Sequence, residues 1–547
     1  MTQSTIPAIP FRIRIGITGH RSLEEPEALR RCIDDILSTR WQEAYSAASR
    51  TLFTASANTP TAFTAISPIA EGADRLLAET ILARPLGRLE VPLPMVREEY
   101  LKDFDTEASR QKFDELLGAA TQTWCSTSGD RNEQYLQVGV QVVEQCDILV
   151  GIWDGKPARG KGGTAEIIKS AIEMKKPVFV ISTVKPHGIT LHNAGTLEAH
   201  GLHELELYND SPLTSDLIAQ SKEEQQGIFK HPEAASIPAM IRNHIADCLT
   251  PHFAKADASA VVNQNAYQLT GSLSYSVSTV AVAFMAIAIV FGKSPWVATT
   301  CYVAELVALI ALFMMIHRAE KKHVHIKWLQ NRALAERIRS LIFFVACGVK
   351  PAESAINPGS YLKDWSGRVL TELRDGTPWK QFASDSKPEE RVAFLLAAWI
   401  SAQQNYHQGK TVKSGDKNKK LMKISFRLFA LAIGVSAIHL VTSLAGMMGH
   451  HPSHLVEIIE ELLTVVAVTL PAAAAAVGGY RILMEYARIS ARCASMAEQL
   501  GQLVVNNAAI KTTEGLATLL RQGEDIMLAE SKEWISLLKH ADLERIA

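Results

Sequence analysis

What the chain lacks already narrows its chemistry. Its seven cysteines (Cys32, Cys125, Cys146, Cys248, Cys301, Cys347 and Cys493) are odd in number and scattered, with no CxxC pair and no Cys/His cluster. That pattern excludes a disulfide framework and a structural zinc, and no metal is expected. Aromatic residues make up only 7% of the chain, and 56 Lys+Arg against 57 Asp+Glu leave a net charge of −1. No overall field draws in nucleic acid, and no basic face interleaved with aromatics replaces one, so no nucleic-acid partner is expected. The opening residues, Met1 to Pro10, lack a basic stretch followed by an apolar one. Without that secretory pattern the first half is expected to stay in a reducing cytoplasm. The 547 residues suggest roughly three units on the usual domain-size prior.

Charge is also missing from four later blocks. Ser272 to Phe291 has no charged residue over 20 positions, and Trp296 to Ile316 has only Glu305 over 21. Leu428 to Met448 and Leu462 to Leu483 form a second pair. Each block is long enough to cross a hydrocarbon core of ~30 Å as a helix. The first pair is joined by Gly292-Lys293-Ser294-Pro295, the second by a turn containing His450, His451, His454, Glu457, Glu460 and Glu461. Basic residues gather on the opposite side: Arg318, Lys321, Lys322 and Lys327 after the second block, and Lys410, Lys413, Lys417, Lys419, Lys420, Lys423 and Arg427 before the third. This bias predicts cytoplasmic termini and middle segment, and a lysine run that meets anionic lipid, the alternative being a nucleic-acid patch.

Each hairpin is followed by a charged helix, Ala319 to Val345 and Arg481 to Asn506, carrying the pairs Ala335-Glu336 and Ala497-Glu498. The two hairpins therefore read as a degenerate duplication. Between them lies a Pro-, Gly-, Ser- and Asp-rich connector, Lys350 to Lys387, then an amphipathic stretch, Glu389 to Gln408; a final helix covers Thr513 to Lys539. Glu305 and His439 are ionisable groups inside the spans and are candidates to line a pore, or else pack neutrally against neighbouring helices. Pro471, Ala472 to Ala476 and Gly478-Gly479 make the fourth span thin enough for close helix approach, which suits a homo-oligomer.

The first half reads as an α/β domain. An apolar strand, Arg12 to Thr18, ends in Gly16-Ile17-Thr18-Gly19-His20-Arg21 and leads into a helix near Glu24. Further strands are expected at Ala62 to Ile69, Leu89 to Leu93, Thr121 to Cys125, Asp147 to Trp153 and Pro177 to Ser182. Helices are expected at Gly72 to Ala83, Glu98 to Ala119, Asn132 to Gln145 and Gly163 to Lys175. Continuous apolar strands alternating with helices predict a parallel, Rossmann-like sheet covered on both faces, followed by a four-span helical membrane domain. Ligands in such sheets bind beyond the C-terminal strand ends. Three turns place polar residues there: Gly16 to Arg21, Glu71-Gly72-Ala73-Asp74-Arg75, and Trp153-Asp154 followed by Gly160-Lys161-Gly162-Gly163-Thr164-Ala165-Glu166. Glycines at strand-to-helix turns admit an anion to backbone N–H groups. Asp74 and Arg75 alternatively form a cap and a surface ion pair, and Glu166 alternatively sits in a helix first turn that favours acids.

The order and spacing of these turns resemble the SLOG superfamily, the Rossmann-like group that includes the LOG phosphoribohydrolases, the DNA-processing protein DprA and ligand-sensing domains of TRPM channels and bacterial antiphage effectors. The likeness covers about residues 1–185. The paired spans with their cytoplasmic helices resemble SLATT membrane effector modules. By this resemblance, 186–265 is a helical extension, 266–348 the first hairpin unit, 349–388 a connector and 389–547 the second hairpin unit. The resemblance implies a nucleotide-derived second messenger as ligand, a cyclic oligonucleotide or an ADP-ribose derivative, with no other cofactor. It also implies an effector or pore in the bacterial inner membrane, oligomeric and acting in antiphage defence. Gly16, Gly19, Gly162, Gly163 and Thr164 would hold phosphate. Asp74 and Glu166 would take ribose hydroxyls or a base edge, and Arg21 and Arg75 would neutralise charge. Thr18, His20, Glu71, Gly72 and Asp154 complete the crevice, and Trp153 either stacks on a base or packs into the core. Hydrolytic LOG proteins carry Pro-Gly-Gly-x-Gly-Thr-x-x-Glu. The turn here lacks that Pro and places Glu166 two residues beyond Thr164, so a sensor is expected ahead of the alternative, a membrane-anchored nucleotide N-glycosidase with no catalytic residue assigned.

Overall fold

The computed structural model describes residues 6–544 except 126, 158–160, 212–214, 352–363, 384–386, 448–453 and 508–509. Gly160, His450 and His451 fall outside the described residues. The chain divides into two compact units, Met1–Pro212 with Ala355–Gly376, and Leu213–Ser354 with Thr377–Ala547.

The first unit is a seven-stranded sheet. Its strands are β1 (Phe11–Gly19), β2 (Thr61–Ile66), β3 (Arg88–Pro92), β4 (Gln122–Trp124), β5 (Ile148–Trp153), β6 (Val178–Ser182) and β7 (Ile189–His192), in the order β4-β3-β2-β1-β5-β6-β7. Six strands are parallel as the apolar runs predict, and β7 joins β6 antiparallel. The central strands are buried on both faces because helices cover both. The principal helices after β2, β4 and β5 are Ala73–Leu82, Arg131–Gln145 and Thr164–Glu173. After β3 the chain makes a short helix, Arg97–Tyr100, one 3-10 turn and then a longer helix, Glu107–Ala119.

The connector Lys350 to Lys387, expected from its composition to carry no regular element, contributes a helix to this unit. Helix Trp365–Asp375 packs on the sheet: Arg368 lies 4.1 Å over the Phe11 ring, and Trp365 sits 5.2 Å from Tyr208. Glu372, 7% exposed, pairs with Arg12 and with Arg88 at 3.1 Å.

The second unit is helical. Four helices, Ala239–Val290, Pro295–Ala346, Pro388–Ala445 and Val456–Asn507, are long and apolar enough to cross a membrane. In their most apolar windows only 0 to 17% of residues are covered by protein, as a lipid-facing surface requires. Helices of 52 to 58 residues are some 80 Å long at 1.5 Å per residue, far more than the ~30 Å needed to span. The surplus has its own core, in which Phe343 stacks on Trp399 at 4.7 Å beside buried Leu334, Ile338 and Leu395.

The two halves of this unit repeat one plan. Each opens with a π-helical segment, Ile245–Leu249 or Leu396–Ser401, within a long helix. Each returns through a helix broken by a single left-handed residue, His323 (φ 50°) or Glu485 (φ 48°). The pairs Ala335-Glu336 and Ala497-Glu498 start at the same twelve-residue offset beyond those breaks. In the fourth helix the small residues serve contacts within the chain, since a side chain at Gly479 would strike the Tyr275 ring.

Candidate functional site

Strand order reverses between β1 and β5, so the crevice lies where Gly19 of β1 pairs with Ile152 of β5. Backbones crowd closely here. A side chain at Gly19 would collide with Ala73, and one at Gly72, which sits at φ 78°, would collide with the carbonyl oxygens of His20 and Arg21. Ala73 N–H donates to His20 O at 3.1 Å, closing the β1 turn onto the helix that follows β2. The β5 turn joins them: His20 Nε2 accepts from Asp154 N–H at 3.2 Å and lies 3.4 Å from Asp154 Oδ1.

Beside this junction lies a buried polar cluster. Asp74, in the first turn of its helix and 7% exposed, accepts from Ala70 N–H at 3.3 Å. Burial raises its carboxyl pKa to about 7, against the opposing pull of the Ala70 hydrogen bond and of Arg21 and Arg75. Arg75 donates to Ile69 O at 3.2 Å and to Ser109 Oγ at 2.9 Å, with its guanidinium 4.8 Å over the Phe104 ring. Ser109 in turn donates to Glu71. Arg21 rests 5.7 Å over Tyr135 and donates to its hydroxyl at 3.3 Å. Tyr100 is fully buried among Phe104, Phe113 and Tyr135, and its hydroxyl is held far above the usual range by burial first and by Asp74 second.

Three atoms of this cluster are buried without a hydrogen-bond partner: Tyr100 OH, Arg75 Nη2 and Asp103 Oδ2. Arg21 Nη2 lies 3.7 Å from the last, while the other oxygen of Asp103 pairs with Arg131. Orphaned buried polar groups cost about 1–3 kcal/mol each unless something bonds them. The arrangement suits a ligand that offers an anion to the guanidiniums and hydroxyl donors to the carboxyls.

The third turn is self-capped. Gly162 N–H donates to Glu166 Oε2 at 2.7 Å, and Glu166 N–H donates to Gly163 O at 2.9 Å, with Thr164 opening the helix. The Glu166 carboxylate therefore occupies the donor that a phosphate would need. At Gly162 (φ 75°) a side chain would meet the backbone of Tyr135 and Leu136, so the residue that touches Arg21 also flanks this turn.

Other expected residues lie elsewhere. Gly16 is inside β1, paired with Ile66 and Leu149, and its missing side chain leaves room for Val142 and Cys146, which a Cβ there would approach to 2.9 and 3.0 Å. Thr18 is likewise in the ladder, opposite Gly151. Trp153 donates its indole N–H to Lys156 O at 2.8 Å and packs on the core cluster, the second of the two roles open to it. Asp154 accepts from Lys156 N–H at 3.0 Å, the main cause that holds its carboxyl below the usual range. Sequence reasoning missed Tyr100, Asp103, Ser109, Arg131 and Tyr135. The signal was the run Arg97-Glu98-Glu99-Tyr100-Leu101-Lys102-Asp103, which mixes charge and aromatic at another C-terminal strand end.

In the second unit, Glu305 lines a cavity of about 390 Å³ whose wall includes Ser278 and Thr464. His439 Nε2 is 3.5 Å from Thr464 Oγ1, and its Nδ1 is buried without a partner. Both span residues thus face one region of the bundle. Compared with protein-family models and with curated proteins, the sequence matches none.

Proposed function

We propose that the chain senses a nucleotide-derived second messenger in the crevice of the first unit, and that binding controls an oligomeric effector or pore built from the four apolar helices. The observation that carries this reading is the set of unsatisfied buried atoms, Tyr100 OH, Arg75 Nη2 and Asp103 Oδ2, gathered around Asp74 at the strand-order reversal. A phosphate answers Arg75 and Arg21; ribose hydroxyls answer Asp103 and Asp74. A ligand phosphate that displaces Glu166 from Gly162 would also free a helix N-terminus for itself. The likeness of the three turns to SLOG sensors, and of the paired spans to SLATT modules, supports the same assignment. It favours the inner membrane of a bacterium, cytoplasmic termini and a role in antiphage defence. Such a ligand shifts the effector only by as much as it prefers one state.

One observation favours a second reading. A carboxyl raised to about 7 is poised as a general acid or base near neutral pH, as a nucleotide N-glycosidase needs. One experiment separates the two. The full chain in detergent is melted with cyclic di- and trinucleotides, ADP-ribose and its cyclised isomers, and nucleoside monophosphates, and every stabilising compound is then recovered. A ligand at 100 times its dissociation constant adds about 2.7 kcal/mol. Recovery intact supports the sensor, recovery as free base and ribose phosphate supports the hydrolase, and no shift with any compound defeats the ligand class.

A further inference from the structure

The apolar blocks of the long helices do not share one register. The first and fourth agree. The charge-free block that begins at Ser272 starts beside Leu483, where the fourth block ends, since a side chain at Gly271 would strike Leu483 and one at Gly479 would strike Tyr275. The third helix runs antiparallel to the fourth: Ser425 Oγ donates to Ala474 O at 2.9 Å, Arg481 donates to Asn418 Oδ1 at 3.3 Å, and His439 Nε2 lies 3.5 Å from Thr464 Oγ1. Counted along both helices from those contacts, Leu483 is level with the stretch from Asp416 to Lys420. Yet the apolar block of the third helix begins only at Leu428, ~15 Å further in at 1.5 Å per residue.

Lys419, Lys420, Lys423 and Arg427 fill that offset. All four are exposed, and none has an ion-pair partner among the described residues. Lys420, Lys423 and Arg427 follow helical spacing, so they share the face turned away from Asn418 and Ser425. Met422, Phe426 and Phe429 beside them are exposed as well, as a helix surface against lipid requires. Asp416 is the only carboxylate between Lys410 and Arg427, and it lies at the boundary itself. The stretch before the first span, Ala258 to Gly271, holds no charge, so these cations are no part of the repeated plan. At the opposite end of the helices Lys293 pairs with Glu461 at 3.4 Å.

Relative to the boundary at Ser272 and Leu483, Lys423 is ~8 Å and Arg427 ~13 Å inside. An uncompensated cation at such depth costs a few kcal/mol or more. Side chains on a helix lean toward its N-terminus, which here means back toward the boundary. Lys423 reaches it, whereas Arg427, with a stem of roughly 6 Å, falls short. An anion must come in to Arg427. A guanidinium fork takes two phosphate oxygens at once.

We propose that Lys423 and Arg427 bind the phosphate of an anionic lipid, with Lys419 and Lys420 at the mouth of the site, and that the leaflet is thinned beside this helix. Lys410 and Lys413 stand ~8 to 12 Å outside the boundary, beyond a headgroup layer of ~5 to 7 Å, and take no part. The inference rests on the reading of the four helices as membrane-embedded and not on the identity of the head's ligand.

The test places the full chain in nanodiscs of equal phosphatidylglycerol and phosphatidylcholine and counts, by native mass spectrometry, the lipids it retains when ejected. Phosphatidylglycerol should be retained in excess. Lys423→Gln with Arg427→Gln should lower the ratio by about tenfold or more, whereas Lys410→Gln with Lys413→Gln should leave it unchanged; equal thermal midpoints show that both variants fold. Equal retention of the two lipids by the natural chain would overturn the proposal, as would an equal loss in both variants, the mark of a soluble polyanion on the whole run. Release of phosphatidylglycerol by millimolar inorganic phosphate would assign the site to free phosphate instead, and dimers lost in the inner variant, without lipid selectivity, would assign it to a second copy. Carbonate washing of membranes holding the chain separates the failures: retention without selectivity overturns the lipid site alone, whereas release overturns the membrane reading with it.

Discussion

The two units solve opposite problems with buried polarity. In the sheet unit, polar side chains are numerous and most are engaged, so the informative atoms are those left over where strand order reverses, Tyr100 OH, Arg75 Nη2 and Asp103 Oδ2. Within the membrane-length helices the apolar windows are bare, ionisable groups inside the spans are few, and Glu305 and His439 each mark a place. The lesson is that a candidate site is found by subtraction in the first unit and by occurrence in the second. The same contrast predicts how substitutions act, because a sheet closed on tight turns punishes added atoms while a helix facing lipid accepts them.

The largest effect is expected at Gly72. Its positive φ and the carbonyl oxygens of His20 and Arg21 leave no room for a side chain. Gly72→Val combines backbone strain with overpacking and should destabilise the first unit by roughly 4 kcal/mol. Hydrogen exchange across β1 and β2 in the full chain reads it, and unchanged protection would contradict the geometry. Next is Glu372→Ala, which strands Arg12 and Arg88 beside a buried site and should cost at least about 3 kcal/mol. A loss confined to the second unit would show that helix Trp365–Asp375 is not part of the sheet domain.

That helix also marks where sequence reasoning runs out. The parallel strands were legible because Ile148 to Trp153 and its neighbours are continuous apolar runs. Strand β7 was not, since four alternating residues at a sheet edge resemble a loop. Trp365, Val369, Glu372 and Leu373 do form a buried face, but over eleven residues amid Pro, Gly and Ser the period is too short to stand out. At the site, Asp74, Arg75 and Arg21 were legible as charge at strand ends. Gly16 and Thr18 were not separable from them, because a glycine that admits Val142 and a glycine that admits a phosphate look alike in sequence. The repeat in the helical unit was faint when it rested on two Ala-Glu pairs and became regular only when counted from the left-handed residues His323 and Glu485.

Asp74→Asn sharpens the comparison through pH. The folded carboxyl titrates at about 7 and the unfolded one near 3.9, so between those values the folded state holds a proton that the unfolded state has released. Stability contributed by this site is therefore present below about pH 4 and is lost as pH rises to 7, by about 4 kcal/mol. Asparagine cannot ionise, so the variant should lose this pH slope and be the more stable protein at pH 8, while losing response to any nucleotide ligand. Thermal midpoints across that range decide it: parallel curves for the two proteins would mean that Asp74 is ionised in the folded state, and the general-acid reading would fall with it.

The smallest effect closes the contrast with Gly72. Gly434 lies within the long helix Ala402–Met447, and a side chain built there meets nothing within 4 Å. Its backbone is helical, so alanine relieves the conformational freedom that glycine loses on folding, and Gly434→Ala should stabilise the helix by about 0.5–1 kcal/mol. If lipid is the neighbour at this position, the gain persists when the purified chain is moved from detergent into bilayers, as read by its thermal midpoint in each. If instead a second copy of the chain packs closely on Gly434, the added methyl meets protein in the bilayer and the gain becomes a loss. A substitution worth less than one kcal/mol in the isolated chain thus reports, through its sign, whether this helix is a lipid-facing surface or an oligomer interface.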